Sequence, residues 1–263
     1  MRIADCGLRI GLAVALSALG AATGTAQSLA QRVARAPDGV VRFAFAARPG
    51  VTGDGERGIR WPCEDGDCGR RFDGGSRRAV CDTGPVRVTL TVRDGSVRAA
   101  DVAVGAEQSG PGLDPGRVPA DEAERFLIAL ARSAPARVGR EVVLAAALAD
   151  SVTAWPDLLA LARDSSVARD TRRAAVFWVG QAAEQAATRG LAELADRSDL
   201  DREVQDAAVF ALSQRPADEG VPALIRLART HRDPAVRRRA MFWLGQSGDP
   251  RALMFFEELL AGS

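Results

Sequence analysis

The side chains with the greatest capacity for chemistry are concentrated in residues 63–81. This segment contains the cysteines Cys63, Cys68 and Cys81 and the acids Glu64, Asp65 and Asp67. Two thiols can form a disulfide, and clustered carboxylates can bind Ca²⁺. The acidic run is shorter than the usual twelve-residue calcium loop and lacks its terminal glutamate, so we predict a disulfide and no metal site. Three pairings are possible, and the remaining thiol stays free or forms an intermolecular bond.

A single histidine, His231, limits the catalytic chemistry that the chain can perform. It lies in a predicted turn between two helices, where we interpret it as a polar turn residue and not as a general base or zinc ligand. The sequence contains no Gly-x-Ser-x-Gly, no His-Glu-x-x-His, no phosphate-binding loop and no dinucleotide-binding glycine pattern. We therefore predict a protein that is not an enzyme, with no catalytic residues and no cofactor.

The C-terminal half of the chain repeats itself. Three similar segments end at Gln181, Gln214 and Gln246, which are 33 and 32 residues apart. A spacing of 33 also relates two sets of leucines upstream of these segments: Leu158, Leu191, Leu224 and Leu161, Leu194, Leu227. A period in this range is typical of stacked two-helix units, none of which can bury its apolar face alone.

The last full repeat indicates two helices. The first is predicted to open at Pro222, and the second opens at Asp233-Pro234, because aspartate is a good N-cap and proline is tolerated at the first helical position. Gly245 and Gly248 end the second helix, and Asp249-Pro250 opens another. That last helix is predicted to cap the stack with Leu253, Phe256, Leu259 and Leu260.

These residues resemble the HEAT-repeat family, in the short form found in phycobilisome-lyase-type proteins. The matching positions are Asp233-Pro234-Ala235-Val236-Arg237, Ala240, Leu244-Gly245 and Asp249-Pro250-Arg251-Ala252-Leu253. The resemblance covers roughly the last half of the chain and implies an α-solenoid whose second helices line the concave face. It also implies that Arg172 and Arg237 match a recurrent arginine that braces a turn. Thr171, Gln205 and Ser213 depart from the family pattern.

The whole chain of 263 residues is predicted to have an α+β fold, in four parts. Residues 1–26 form a signal peptide, residues 27–105 a small antiparallel β-rich domain with the cysteine-containing loop, and residues 106–120 a Gly/Pro linker. Residues 121–263 form a HEAT-like α-solenoid of about four helix pairs plus a capping helix. Within the β-rich part, Asp94-Gly95 predicts a two-residue hairpin turn, and a parity shift near Ala99-Ala100 predicts a bulge.

The N-terminal segment predicts export. Arg2 and Arg9 precede a short apolar run, and small residues before Gln27 provide a cleavage site. We expect a periplasmic or secreted protein with no stable membrane insertion after cleavage; a retained N-terminal anchor is the alternative. The formal net charge of +1 gives no argument for nucleic acid or an acidic membrane as a partner.

We expect the solenoid to be a non-catalytic scaffold that binds a protein partner through its concave face. Six positions that rotate away from the buried arc form the predicted ridge: Arg173, Val176, Asp206, Val209, Arg238 and Met241. The flanking column of Phe177, Phe210 and Phe242 is interpreted as packing between second helices, and Trp178 and Trp243 as core. The alternatives are a small-ligand or metal-binding role for the β-rich part, anionic-polymer binding through the arginines, and a lyase-like activity suggested by the family alone.

Overall fold

The computed structural model describes residues 27–55, 58–60, 83–105 and 110–261. A sheet region is followed by a stack of helices, which confirms the α+β prediction. The strands are β1 (Gly39–Phe45), β2 (Thr52–Gly53), β3 (Ile59–Arg60), β4 (Val86–Arg93), β5 (Ser96–Val104) and β6 (Leu113–Arg117). The helices are α1 (Leu29–Ala34), α2 (Ala120–Ser133), α3 (Ala136–Ala147), α4 (Trp155–Arg163), α5 (Arg169–Gly180), α6 (Gln185–Asp196), α7 (Arg202–Ser213), α8 (Ala217–Thr230), α9 (Pro234–Gln246) and α10 (Pro250–Ala261).

The main sheet has four strands in the order β5-β4-β1-β6. β4 pairs antiparallel with both β1 and β5, whereas β6 pairs parallel with β1. Successive side chains of a strand point to opposite faces, so the alternating apolar residues of β1 and β4 share one face. Phe43 and Phe45 of β1 lie on it with Val88 and Leu90 of β4, and all four are buried.

The hairpin between β4 and β5 confirms two local predictions. Asp94 and Gly95 have φ values of 51° and 66°, the left-handed conformations that a tight two-residue turn requires. Thr91 pairs with Ala99 and Val92 pairs with Val97, which leaves one extra residue, Arg98, on β5. This bulge lies next to the predicted position at Ala99-Ala100 and bends the strand where its alternation changes.

Two elements of the sheet region differ from the prediction. Residues 113–117, which we predicted to be part of a linker, form β6 against β1. The glycines and prolines of this segment indicated a loop, but the strand forms because β1 offers backbone partners from far along the chain. The helix α1 was not predicted; it is capped by Ser28, whose Oγ accepts a hydrogen bond from the Gln31 backbone amide at 3.3 Å.

The helical stack contains four helix pairs in the described part of the chain, followed by α10. We call α2, α4, α6 and α8 the first helices and α3, α5, α7 and α9 the second helices. Neighbouring second helices pack more closely than neighbouring first helices, so the second helices lie on the inner side of the stack's curvature. A Cβ built on Gly139 of α3 would lie 2.2 Å from Thr171 Oγ1 of α5, which shows how near these helices approach.

The helix boundaries of the last repeat are partly as predicted. Asp233 caps α9, because its Oδ1 accepts from the Ala235 backbone amide at 2.7 Å. α8 begins at Ala217, five residues before the predicted start, and includes Pro222 within the helix. α10 buries Ala252 and Phe255. Three of the residues predicted to cap the stack, Leu253, Leu259 and Leu260, are therefore exposed.

The sheet region rests directly on the first helix pairs. β5 packs against α3, and the apolar residues of both regions form one continuous core. The backbone connects them as well: Arg48 donates to the Leu148 carbonyl and Asp150 donates to the Ala46 carbonyl, both at 2.9 Å. The small sheet is thus stabilised by the helical stack as well as by its own strand pairing.

Candidate interaction surface on the second helices

The predicted ridge is only partly at the surface. Arg173 and Arg238 are exposed, and Met241 is half-buried. Asp206, also half-buried, accepts a hydrogen bond from Arg239 of α9 at 2.9 Å. The side chains of Val176 and Val209 are fully buried, so the prediction that they belong to a surface ridge is wrong.

The reason for this error is the number of neighbours around each second helix. An inner helix of the stack packs on the first helix of its own pair and on a second helix at each side. Its buried arc is therefore wider than the single apolar stripe of a helix that contacts one neighbour. Val176 and Val209 lie on the part of that arc that touches the adjacent second helices.

The exposed positions are occupied by three phenylalanines. Phe177 of α5, Phe210 of α7 and Phe242 of α9 have equivalent places in three successive repeats, and 47%, 37% and 55% of their surfaces are exposed. Large aromatic side chains exposed in a row on one face are unusual for a surface that only contacts water. This row, which we call the phenylalanine row, was interpreted from sequence as internal packing.

Two tryptophans contact the rings of the phenylalanine row. Trp243 lies 5.0 Å from the Phe242 ring and 5.0 Å from the Phe210 ring, so it joins α9 to α7. Phe177 lies 5.3 Å from Trp178. Both tryptophans are half-buried against the core, in partial agreement with their prediction as core residues. Aromatic contacts at these distances fix the orientation of the rings.

The two sides of the stack differ in charge. The four second helices contain nine arginines and four acidic residues, whereas the four first helices contain six arginines and eight acidic residues. Within the described ranges, four arginines of the second helices are exposed and have no acidic partner: Arg137, Arg140, Arg202 and Arg238. The second helices, three of which carry the phenylalanine row, therefore have an excess of arginine over acidic residues.

In the last three helix pairs, one position of the second helix donates to a backbone carbonyl of the preceding turn. Arg172 Nε donates to the Val167 carbonyl at 3.0 Å, and Arg237 Nη1 donates to the His231 carbonyl at 2.8 Å. Gln205, which replaces the arginine in the middle repeat, donates to the Arg197 carbonyl. These contacts confirm a structural role for the two arginines and show that glutamine fills the same role.

A buried arginine that the sequence did not single out connects two repeats. Arg215 Nε donates to Thr188 Oγ1 at 2.7 Å, and its Nη2 donates to the Glu184 carbonyl at 3.2 Å and to Glu219 Oε2 at 2.9 Å. It also donates to the carbonyls of Gly180 and Ala182. Hydrogen bonds from Thr188 and Arg215 lower the pKa of the Glu219 carboxyl. The sequence contained one indication of this role, because the arginine directly after Gln214 has no counterpart after Gln181 or Gln246.

His231 is a turn residue, as predicted. Its side chain is buried, and its Nδ1 accepts a hydrogen bond from the Asp233 backbone amide at 3.0 Å. No group of three or more His, Cys, Asp or Glu residues that could hold a metal occurs in the described ranges. Cys63, Cys68, Cys81 and the acidic residues between them lie outside those ranges, as does the predicted signal peptide, so these predictions stay predictions.

In the part of the chain that the structure describes, every helix is too short or too polar to cross a membrane. This finding concerns residues 27–55, 58–60, 83–105 and 110–261.

Comparison with known proteins supports the repeat assignment. Residues 188–263 match the family model described as HEAT repeats. The matched segment contains α7, α8, α9 and α10, and so includes Phe210 and Phe242 of the phenylalanine row. Proteins with HEAT repeats are generally non-catalytic scaffolds and commonly mediate protein interactions. No curated protein matches the chain.

Proposed function

We propose that this chain, with HEAT repeats over residues 188–263, is an exported non-catalytic scaffold that binds a protein partner on its second helices. The observation that carries the proposal is the phenylalanine row, in which three equivalent aromatic side chains are exposed on successive repeats. Aromatic residues and arginine are enriched at the energetically important centres of protein interfaces. Exposed examples of both occur on α7 and α9, where Arg202 and Arg238 accompany Phe210 and Phe242.

The charge of the second helices specifies the chemistry of the partner. Unpaired arginines such as Arg202 and Arg238 lie on the same helices as Phe210 and Phe242. A partner segment that presents acidic and apolar side chains would pair with the arginines and cover the aromatic rings. An anionic polymer could satisfy the arginines, but it would leave the phenylalanine row uncovered, so we favour a protein.

The binding proposal is tested by photo-crosslinking from the row itself. A photoreactive phenylalanine analogue is placed at Phe210, and the same analogue replaces Leu253 of α10 as the matched control, because that leucine is exposed but lies outside the row. Expression in the native host followed by mass spectrometry should give one recurrent protein crosslinked from position 210 and not from position 253. Equal crosslinking from both positions would contradict the proposal.

Charge and export need separate measurements. Binding of the recovered partner should weaken only modestly as the salt concentration rises, and the triple variant Phe177→Ser, Phe210→Ser, Phe242→Ser should abolish it. An anionic polymer would instead dissociate steeply with salt, whether or not the aromatic residues are present.

Export is tested by cell fractionation and N-terminal sequencing of the mature protein. A cytoplasmic protein that begins at Met1 would rule out the exported part of the proposal.

A further inference from the structure

A second row of side chains runs beside the phenylalanine row. Residues four positions apart lie on the same side of a helix, one turn from each other. The residues four positions before the three phenylalanines are Arg173, Asp206 and Arg238, which we call the polar row. Both arginines are exposed, and Asp206 is bonded to Arg239 at 2.9 Å. The three helices therefore present an aromatic row and, one turn toward their N-termini, two cationic groups separated by a neutral ion pair.

The spacing of the phenylalanine row is set by the packing of the second helices. The Trp243 ring lies 5.0 Å from each of the Phe210 and Phe242 rings, so those two phenylalanine rings are no more than about 10 Å apart. α5 and α7 also approach closely, since a Cβ built on Gly180 would lie 3.1 Å from the Ala211 Cβ. The axes of packed helices are about 8–10 Å apart. A partner that covers the whole row must present apolar side chains at intervals of that length.

An α-helix has a repeat that matches this interval. Its rise returns a side chain to nearly the same face after seven residues, a distance of about 10.5 Å. A β-strand repeats on one face at about 6.6 Å and then at about 13 Å, so it matches neither contact. A polyproline II segment repeats at about 9 Å, but its main chain has no internal hydrogen bonds and would lose water against the aromatic rings. A helix satisfies its own main-chain groups.

The polar row indicates the charge of the partner. Within the described ranges Arg238 has no acidic partner, and the ion pair of Arg173 is a contact of 3.8 Å with the exposed Asp170. Exposed pairs of this kind are weak, so a carboxylate of the partner can replace Asp170 at little cost. Arg239 neutralises Asp206, the one acid of the row. The row therefore favours an acidic partner over a basic one.

We infer that the phenylalanine row and the polar row together bind one amphipathic α-helix of the partner protein. The helix crosses α5, α7 and α9, and places apolar side chains seven residues apart on the three phenylalanines. Acidic side chains on one flank of that apolar stripe pair with Arg173 and Arg238. Three contacts at this spacing need about fifteen residues, or about 21 Å of helix. The inference rests on the proposed function and specifies the secondary structure and the charge of the segment that binds.

The spacing is tested by crosslinking from all three positions of the row. A photoreactive phenylalanine analogue replaces Phe177, Phe210 and Phe242 in turn in the full chain, and mass spectrometry identifies the partner residues that react. The expected contacts lie in order, about seven and fourteen residues apart in one segment. Contacts three residues apart, or contacts in unrelated segments, would overturn the inference and leave the proposed protein binding intact. Failure to recover a recurrent protein from any position would remove both.

The helical state and the charge are tested with a synthetic peptide of the crosslinked segment. Proline at its central, solvent-facing position should weaken binding at least tenfold, whereas alanine at the same position should change it less than twofold. Arg173→Glu with Arg238→Glu should also weaken binding at least tenfold, and Arg226→Glu on α8 is the matched control. If circular dichroism shows that the double variant does not fold, the peptide with glutamine for its acidic residues replaces it. Unchanged binding in either test would refute the acidic helix.

Discussion

The helical stack and the sheet region satisfy their backbone polar groups in different ways. Apart from Thr52, every buried polar side chain in the described ranges belongs to the stack, including Glu124, Arg172 and Arg215. A sheet pairs its own amides and carbonyls, whereas each helix ends with carbonyls that have no partner within the helix. Arginine and glutamine side chains supply the missing donors in the stack. Substitutions of buried polar residues should therefore affect the stack strongly, and the sheet should depend on apolar packing.

The largest effect is expected at Arg215. Arg215→Ala removes the arginine that donates to Glu219, Thr188 and three backbone carbonyls, so the free energy of unfolding should fall by about 4 kcal/mol. The control is Arg226→Ala on α8, which removes an exposed arginine that has no acidic partner among the described residues and should change stability by less than about 0.5 kcal/mol. Urea denaturation measures both. Similar losses for the two variants would refute the role of the buried network.

A smaller loss is expected in the sheet. Leu90 is fully buried on the face that packs toward the helices, so Leu90→Ala should reduce the free energy of unfolding by about 3 kcal/mol. Thr91→Ala, one residue along on the opposite face, is the matched control and should cost less than about 1 kcal/mol. If the threonine variant were the less stable of the two, the assignment of the sheet's buried face would be wrong.

A pH-dependent effect is expected at Glu124. Burial, with a smaller contribution from Asp157, raises the pKa of its carboxyl from 4.5 to about 7. The folded state thus binds the proton more tightly than the unfolded state, and this contribution to stability is complete below pH 4.5 and is lost as the pH rises through about 7. Glu124→Gln, which stays neutral, should therefore gain about 2 kcal/mol relative to the native chain between pH 5 and pH 8.

The matched control for this variant is Glu257→Gln on α10, where the carboxyl is exposed. Chemical denaturation at pH 5 and at pH 8 should show the same difference in stability between Glu257→Gln and the native chain. A relative stability of Glu124→Gln that is the same at both pH values would show that the buried carboxyl does not titrate in this range.

The smallest effect on stability is expected in the phenylalanine row. Phe242 is 55% exposed, so Phe242→Ser should cost no more than about 1 kcal/mol, most of it from the lost contact with Trp243. Thermal unfolding measures this, with Leu253→Ser as the control. A loss comparable to that of Leu90→Ala would mean that the ring is part of the core and would remove the main support for the binding surface.

Much of the fold follows from local patterns in the chain. The leucine and glutamine spacings predicted the helix pairs because each repeat buries equivalent positions against its neighbours. Asp94-Gly95 predicted the hairpin because the turn conformation depends on those two residues alone. The cap at Asp233 is equally local, since its acceptor lies two residues from the donor that it binds.

The candidate surface was predicted less well, for a reason that particular residues make clear. Phe177 follows Val176 directly, and periodicity alone could not show that the valine is buried while the phenylalanine is exposed. That outcome depends on how closely α3 and α7 approach α5. The tryptophan of the last repeat similarly contacts Phe210 of the preceding repeat, a distance of 33 residues along the chain.

The sequence by itself determined the helix pairs, their period and the hairpin, because these depend on side chains within a few positions of one another and on their repetition along the chain. Only the tertiary structure decided that β6 completes the sheet, that the edge strand β5 packs against α3 and that the phenylalanine row faces solvent. Each of these depends on which distant elements approach and how closely, and a one-dimensional pattern does not contain that information.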